Sequence, residues 1–323
     1  MFIILLLFMI GLILISKGAD IFINNTVEIG KRTNISELVL GATIVSFATT
    51  LPELTVSFFA SVDGHTTMSL GNAVGSIICN TGLVLGLVSV ISPFKVDKDM
   101  FFSKSVLLII SVIALVILGL DGSIEKMDSV VLMLILTIYM VSNYKSVVGS
   151  NKNLKSRNKT TGCKKNSSLK GFEVIKIFIF FILGLVMMVV GSKLLIDNGV
   201  KIAQIIGIPQ GIVSLTVIAL GTSLPELVSS LTAIRKNHHA ISVGNVLGAN
   251  ILNIVSVISF SAIPNNIPIL TQNIKVDFPF MILLLVVLII PTIKKDKLYR
   301  LQGILLLTLY IAYISVLYTM YIV

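Results

Sequence analysis

Two runs of the chain place chemically capable side chains in an otherwise apolar sequence: Thr49-Thr50-Leu51-Pro52-Glu53-Leu54 and Thr222-Ser223-Leu224-Pro225-Glu226-Leu227. An ionised carboxylate inside a hydrocarbon slab costs several kcal/mol unless it is paired or faces a polar cavity, so Glu53 and Glu226 are candidate functional groups. Each follows a proline, which has no N–H for the carbonyl four residues back and clashes with it. A helix is therefore expected to kink or break around Pro52 and Pro225. Such a break would free carbonyl oxygens near Ser46 and Thr49 in one run and near Ala219 and Thr222 in the other. Freed carbonyls at membrane depth are tolerated where they line a cavity, and there they commonly coordinate cations. The other donors are oxygens too: hydroxyls of Thr49, Thr50, Thr222, Ser223 and Ser76, and amides of Asn80 and Asn253. Hard cations such as Ca²⁺ suit that set, whereas zinc or copper would call for His or Cys. His65, His238 and His239 fall in predicted loops and are read as solvated, and Cys79 is read as a packed thiol.

The elements that must hold these groups are membrane helices. Of 323 residues, 55% are hydrophobic and 12% charged, with a mean hydropathy of +1.00; soluble domains run to about 45–50% and about 25%. That balance excludes a soluble globule and a disordered chain, and two cysteines, Cys79 and Cys163, exclude a disulfide scaffold. A span needs about 20 mostly apolar residues. Ten such pieces are read, near 2–27, 36–60, 67–92, 101–120, 127–145, 172–196, 210–234, 240–262, 277–293 and 299–321. The first has no basic leader and no small-residue cleavage site, so it is expected to be retained. Polar groups near span ends, Lys17, Asp20 and Lys193, are read as reaching to the interface.

The net charge of +10 is explained by orientation. Lys145, Lys152, Lys155, Arg157, Lys159, Lys164, Lys165 and Lys170 crowd the longest polar stretch, which contains no acid, and a cytoplasmic place for it puts Lys31, Arg32, Lys95, Lys98, Arg235, Lys236, Lys294, Lys295, Lys297 and Arg300 inside as well. The other side keeps Lys126, Lys201 and Lys275. The positive-inside rule thus predicts a multi-pass cell-membrane protein with both termini outside and a flexible cytoplasmic linker, not a nucleic-acid binder.

An offset of 173 residues carries Gly11 onto Gly184 and, without a gap, Asn80 onto Asn253. Glu53 falls on Glu226, Gly18 on Gly191, Ser57 on Ser230, and Gly71-Asn72-Ala73-Val74-Gly75 on Gly244-Asn245-Val246-Leu247-Gly248. Each half holds five spans, an odd number, so the second copy enters the membrane inverted. The predicted organisation is a first five-helix repeat over 1–145, a basic linker over 146–171 and an inverted second repeat over 172–323, all α-helical. Inverted repeats recur in secondary transporters, with one site near the midplane between the copies. The small-xxx-small glycines would bring spans 3 and 8 against spans 2 and 7, letting Asn80 and Asn253 meet the glutamates.

At these motifs the chain resembles the cation/Ca²⁺ exchanger superfamily, and within it the prokaryotic sodium/calcium exchanger branch. The resemblance extends over essentially the whole sequence. It implies four clustered cation sites that bind Ca²⁺ and Na⁺ alternately, with Glu53 and Glu226 as central carboxylates, Ser46, Thr49, Thr50, Ser76 and Asn80 as first-repeat ligands, and Ala219 (by its carbonyl), Thr222 and Ser223 as second-repeat ligands. It also implies that spans 1 and 6 slide over the other eight, a surface that Gly18 and Gly191 would suit. The chain departs from the family pattern at Ala48 and Thr50, which stay small or keep the hydroxyl. It departs at Ala249, where a hydroxyl is missing, and at Asn253, where several relatives have aspartate. The Ca²⁺ site is little affected, but the sodium sites are altered.

The expected function is Ca²⁺/Na⁺ antiport by alternating access, with the two ions as substrates, lipid as surroundings, no cofactor, no enzymatic activity and a single copy as the unit. Ca²⁺/H⁺ antiport is the nearest alternative, because two glutamates can also carry protons. A passive cation channel would have no need of an inverted repeat. The absence of a phosphate-binding loop argues against an ATP-driven pump. The absence of H-E-x-x-H and of any Ser/His pair within spans argues against a membrane hydrolase.

Overall fold

The computed structural model describes residues 2–33, 35–161, 171–206 and 219–322. Among the described residues nine helices are long and apolar enough to cross a membrane. Spans 1 to 5 are Phe2–Thr33, Glu37–Val62, Thr66–Ile91, Lys98–Asp121 and the apolar part of Lys126–Thr161; spans 6, 8, 9 and 10 are Gly171–Ile206, His239–Ser261, Asn273–Lys295 and Arg300–Ile322. The seventh piece is described from Ala219 onward, as Ala219–Thr222 and Leu224–Arg235, and its earlier part lies outside the described residues. At 1.5 Å per residue, helices of this length cover the roughly 30 Å of hydrocarbon. The helix of span 5 continues to Thr161, where a flexible linker is expected from residue 146. No Gly or Pro interrupts Asn151–Thr161, so nothing there stops it; residues 162–170, Cys163 among them, lie outside the described residues.

Burial sorts the spans. Span 8 is entirely buried within its apolar window and span 3 is mostly buried, while spans 1, 5 and 6 turn most of theirs outward. Outward residues such as Ile13, Ile117, Leu134, Ile179 and Ile311 are apolar, as a lipid-facing surface requires. One apolar core runs through spans 3, 4, 5, 8, 9 and 10 and includes Ile77, Leu108, Leu132, Val255, Leu284 and Leu306. A second, separate core joins spans 1 and 6 to the flanks of 2 and 7, through Phe22, Ile23, Met188, Val45 and Ala233. Spans 1 and 6 pair along their length, with Phe22 and Phe181 rings 4.7 Å apart.

Glycine makes that pairing close. A Cβ on Gly18 would lie 2.8 Å from the Gly184 carbonyl oxygen, and one on Gly191 would lie 2.9 Å from that of Gly11. These four are two repeat-related pairs crossing antiparallel, so Gly18 and Gly191 face the partner span and not the remaining core, where a sliding surface would need them. Helices without side chains at a crossing gain dispersion contacts unavailable to bulkier pairs.

Two short ribbons tie the helix ends: Phe94–Lys95 (β1) pairs antiparallel with Lys297–Leu298 (β4), and Ser123–Ile124 (β2) with Ile267–Pro268 (β3). The 173-residue offset carries β1 onto β3, and an offset of 174 carries β2 onto β4. The repeat operation therefore exchanges the ribbons, and the duplication extends well past Asn80 and Asn253, with one residue added between.

A break at the proline appears in one copy only. Ser223 interrupts the helix with φ −87° and ψ 6°, and Pro225 sits in the first turn of Leu224–Arg235, where its missing N–H costs nothing. In the first copy the helix Ser46–Val62 runs on through Pro52, and the irregularity lies upstream as a π-turn, Gly41–Val45. Further π-turns occupy Asn80–Val84, Asn253–Ile258 and Asn273–Asp277. A wider turn loosens the regular i−4 bonding and often marks a functional position.

Candidate functional site

Span 2, the second-copy helix Leu224–Arg235, and spans 3 and 8 meet at the centre. Glu53 and Glu226 are both fully buried there, each within electrostatic reach of the other. All four carboxylate oxygens are without a hydrogen-bond partner among the described residues. The same holds for Thr50 Oγ1, Ser76 Oγ, Ser223 Oγ, and both amide atoms of Asn80 and of Asn253, every one buried. Orphan hydroxyls occur elsewhere too, as at Ser89, Ser105 and Ser261, but among the described residues only Glu53 and Glu226 have both carboxylate oxygens orphaned, and folded proteins satisfy most buried polar atoms, so this pair calls for a missing partner. With oxygens dominating and two negative charges, that partner is a hard cation. Among the described residues no group of three or more His, Cys, Asp or Glu could hold a metal, so neutral oxygens must complete any coordination.

The local backbone explains how these donors converge. Asn80 and Asn253, equivalent in the repeat, each open a π-turn at the end of a buried helix. Ser46 and Thr49 are buried on span 2, with Ser46 Oγ donating to the Thr43 carbonyl at 3.2 Å. Thr222 is buried just before the second-copy break; Ala219 begins its helix, and its side chain is outside the described residues. Ala249 and Asn253 are fully buried. Gly244 and Gly248 sit tightly against span 2: a Cβ on Gly244 would lie 2.9 Å from the Ala42 nitrogen, and one on Gly248 would lie 2.7 Å from Ser46 Cβ. The repeat offset assigns the counterparts of those contacts, for Gly71 and Gly75, to residues 211–219, most of which lie outside the described residues.

Two site-lining residues escaped the sequence reading although the repeat match contains them. Thr49 Oγ1 donates to Asn245 Oδ1 at 3.2 Å, and Thr222 Oγ1 to Asn72 Oδ1 at 3.0 Å. Each asparagine thus reaches the threonine of the opposite repeat. Their exact match at a fixed offset, beside the matched glycines, was the available signal.

Other buried charges are kept apart from this centre. Lys104 donates to Asn143 Oδ1 and lies 5.5 Å from the Tyr139 ring centroid, while Tyr139 donates to the Ala42 carbonyl in the first π-turn. The offset takes Lys104 to Asp277, which accepts from Tyr313 at 3.0 Å and from Asn273 at 2.8 Å. Nearer the surface, the half-buried Asp20 pairs with Lys236 at 3.1 Å. His65 is exposed as expected, but His238 meets Glu37 at 2.7 Å and His239 stacks on Phe94 with ring centroids 4.7 Å apart, since both lie where span 8 begins against span 2. Cys79 is a buried free thiol.

Fold and centre together define a helical membrane protein built as an inverted repeat around buried carboxylates. The sodium/calcium exchanger protein family matches residues 3–145 and 176–319, and the chain belongs to that family. A Methanocaldococcus jannaschii membrane protein without assigned function is 35% identical over 95% of this chain and 96% of its own. Sodium/calcium exchanger MaX1 of Methanosarcina acetivorans is 28% identical over 97% of this chain and 98% of its own. The solved structure of the sodium-calcium exchanger NCX_Mj, soaked with Na⁺ and no Ca²⁺, is 34% identical, covers 98% of this chain and 99% of that one, and superposes with a TM-score of 0.83. MaX1 and NCX_Mj are sodium/calcium exchangers, and Na⁺ and Ca²⁺ are the ions of the family.

Proposed function

We propose that this protein exchanges Ca²⁺ for Na⁺ across the cell membrane by alternating access to the central site, with both termini outside and the basic central segment in the cytoplasm. The observation that carries this reading is the cluster of buried, unpartnered oxygens around Glu53 and Glu226. Two carboxylates neutralise one Ca²⁺. Thr50, Ser76, Asn80, Ser223 and Asn253 supply neutral oxygens for it and for competing sodium ions, joined by Ser46, Thr49, Thr222 and the Ala219 carbonyl. Asn253 cannot take up a proton, so only two acids of the centre titrate, and sodium coordinates well to the amides and hydroxyls that remain. Three sodium ions would leave the centre at +1 and make exchange electrogenic. The separate apolar core of spans 1 and 6, and their glycine-mediated pairing, support movement of that pair as a unit over the other spans.

The test is transport in proteoliposomes. An outward Na⁺ gradient should drive ⁴⁵Ca²⁺ inward with no pH gradient imposed. Uptake that follows pH and ignores Na⁺ would reassign the protein to Ca²⁺/H⁺ exchange, and uptake without any counter-ion would mean a channel.

A further inference from the structure

Asn72 and Asn245 form a hydrogen-bond device whose polarity can be read atom by atom. Asn72 Nδ2 lies 2.9 Å from Ser57 Oγ and 3.4 Å from the Glu53 carbonyl oxygen. A carbonyl only accepts, so the amino group must face it, and Oδ1 must face Thr222. In the second copy Ser229 Oγ donates to the Glu226 carbonyl at 3.1 Å, which leaves the Ser229 oxygen to accept from Asn245 Nδ2 at 3.2 Å; Ser230 Oγ lies 3.4 Å away. Asn245 Oδ1 is then turned to Thr49. Asn72 thus holds the Glu53 backbone directly and Asn245 holds that of Glu226 through Ser229, while each amide oxygen accepts a hydrogen bond from the other repeat's threonine.

The consequence is clearest at Thr49. Its partners, Asn245 Oδ1 at 3.2 Å and the Ser46 carbonyl at 3.4 Å, are both acceptors, and its hydroxyl lies within reach of the Glu226 carboxylate. With the proton held on the amide, the hydroxyl oxygen offers lone pairs toward the centre. Without that amide, the proton can turn to the carboxylate and compete with a cation for it. We infer that Asn245, and by the repeat Asn72, are positioning residues: they orient the hydroxyls of Thr49 and Thr222 so that these bind the transported cation instead of donating to the glutamates. The inference rests on the exchanger reading above and adds to it a coupling across the two repeats.

The experiment is a double-mutant cycle in equilibrium ⁴⁵Ca²⁺ binding to purified, detergent-solubilised protein, with melting temperatures in ion-free buffer recorded alongside. Asn245→Leu and Thr49→Val should each weaken binding by roughly 3- to 10-fold, the scale of one hydrogen bond. The double variant should be no weaker than the worse single one, because the amide acts only through the hydroxyl. Multiplying effects, or a Thr49→Val protein that binds like wild type, would overturn the inference. Should Asn245→Leu fail to fold, Thr49→Ser decides with Thr49→Val: binding kept by serine and lost by valine supports the inference, and equal behaviour ends it. Wild-type protein that binds neither Ca²⁺ nor Na⁺ would bring down the exchanger reading itself, a failure distinct from these.

Discussion

Replacing one central carboxylate by its amide is the sharpest perturbation of this centre. Glu53→Gln keeps the shape and one oxygen donor of a fully buried side chain but halves the negative charge available to a divalent ion. At an effective dielectric of about 20 and a separation of about 4 Å, one carboxylate attracts a divalent cation by roughly 8 kcal/mol. Part of that is offset because wild type must desolvate the second charge. Removing one partner of a buried pair typically leaves a net loss of about 3–5 kcal/mol, or roughly 140- to 3,700-fold in Ca²⁺ affinity at about 1.4 kcal/mol per tenfold. Glu226→Gln should lose a similar amount, since the repeat gives both acids the same burial and the same lack of partners. The ion-free protein should respond in the opposite sense. Two facing, unpartnered carboxylates are costly without an ion, so either variant should melt higher than wild type in chelator and lose the upward shift on adding Ca²⁺. Calorimetric titration and thermal melting read both quantities on the same preparation. A Glu53→Gln protein that binds Ca²⁺ within tenfold of wild type would refute the assignment of this centre as the Ca²⁺ site.

Three further outcomes are expected. Gly18→Leu would drive a side chain into span 6, where even a Cβ lies 2.8 Å from the Gly184 carbonyl oxygen, so melting should fall by the equivalent of about 1–3 kcal/mol and transport should drop; Ca²⁺ affinity should stay within about threefold, and a larger loss would mean the pair helps build the site. Asn253→Asp adds a third acid to the centre and should change the Na⁺ dependence of exchange more than Ca²⁺ affinity; equal effects on both would count against sodium using that position. In a cysteine-free background, Lys155→Cys should resist an impermeant thiol reagent applied to intact cells while Ser123→Cys reacts, and the reverse pattern would invert the proposed orientation.

The sequence by itself determined the membrane class, the spans to within a few residues at most ends and the duplication, and it pointed to Glu53, Glu226, Asn80 and Asn253 as candidates for the centre, though not to Asn72 and Asn245. It could do so because these depend on composition, on periodic apolar length and on residue types recurring at a fixed offset. Glu53 and Glu226 were conspicuous because a carboxylate within an apolar run is costly wherever the run folds. What tertiary structure alone decided is how the two copies use the same motif. Pro52 stays within a continuous helix while the chain breaks at Ser223, and the widened turns begin at Asn80 and Asn253, which no local propensity marks. Gly18 proved to face Gly184, and Thr49 to be held by Asn245, only when residues far apart in the chain came together. A one-dimensional pattern reports which groups must be buried. Which donor meets which acceptor depends on the crossing of helices from opposite halves, and that geometry is set by close packing across the whole bundle.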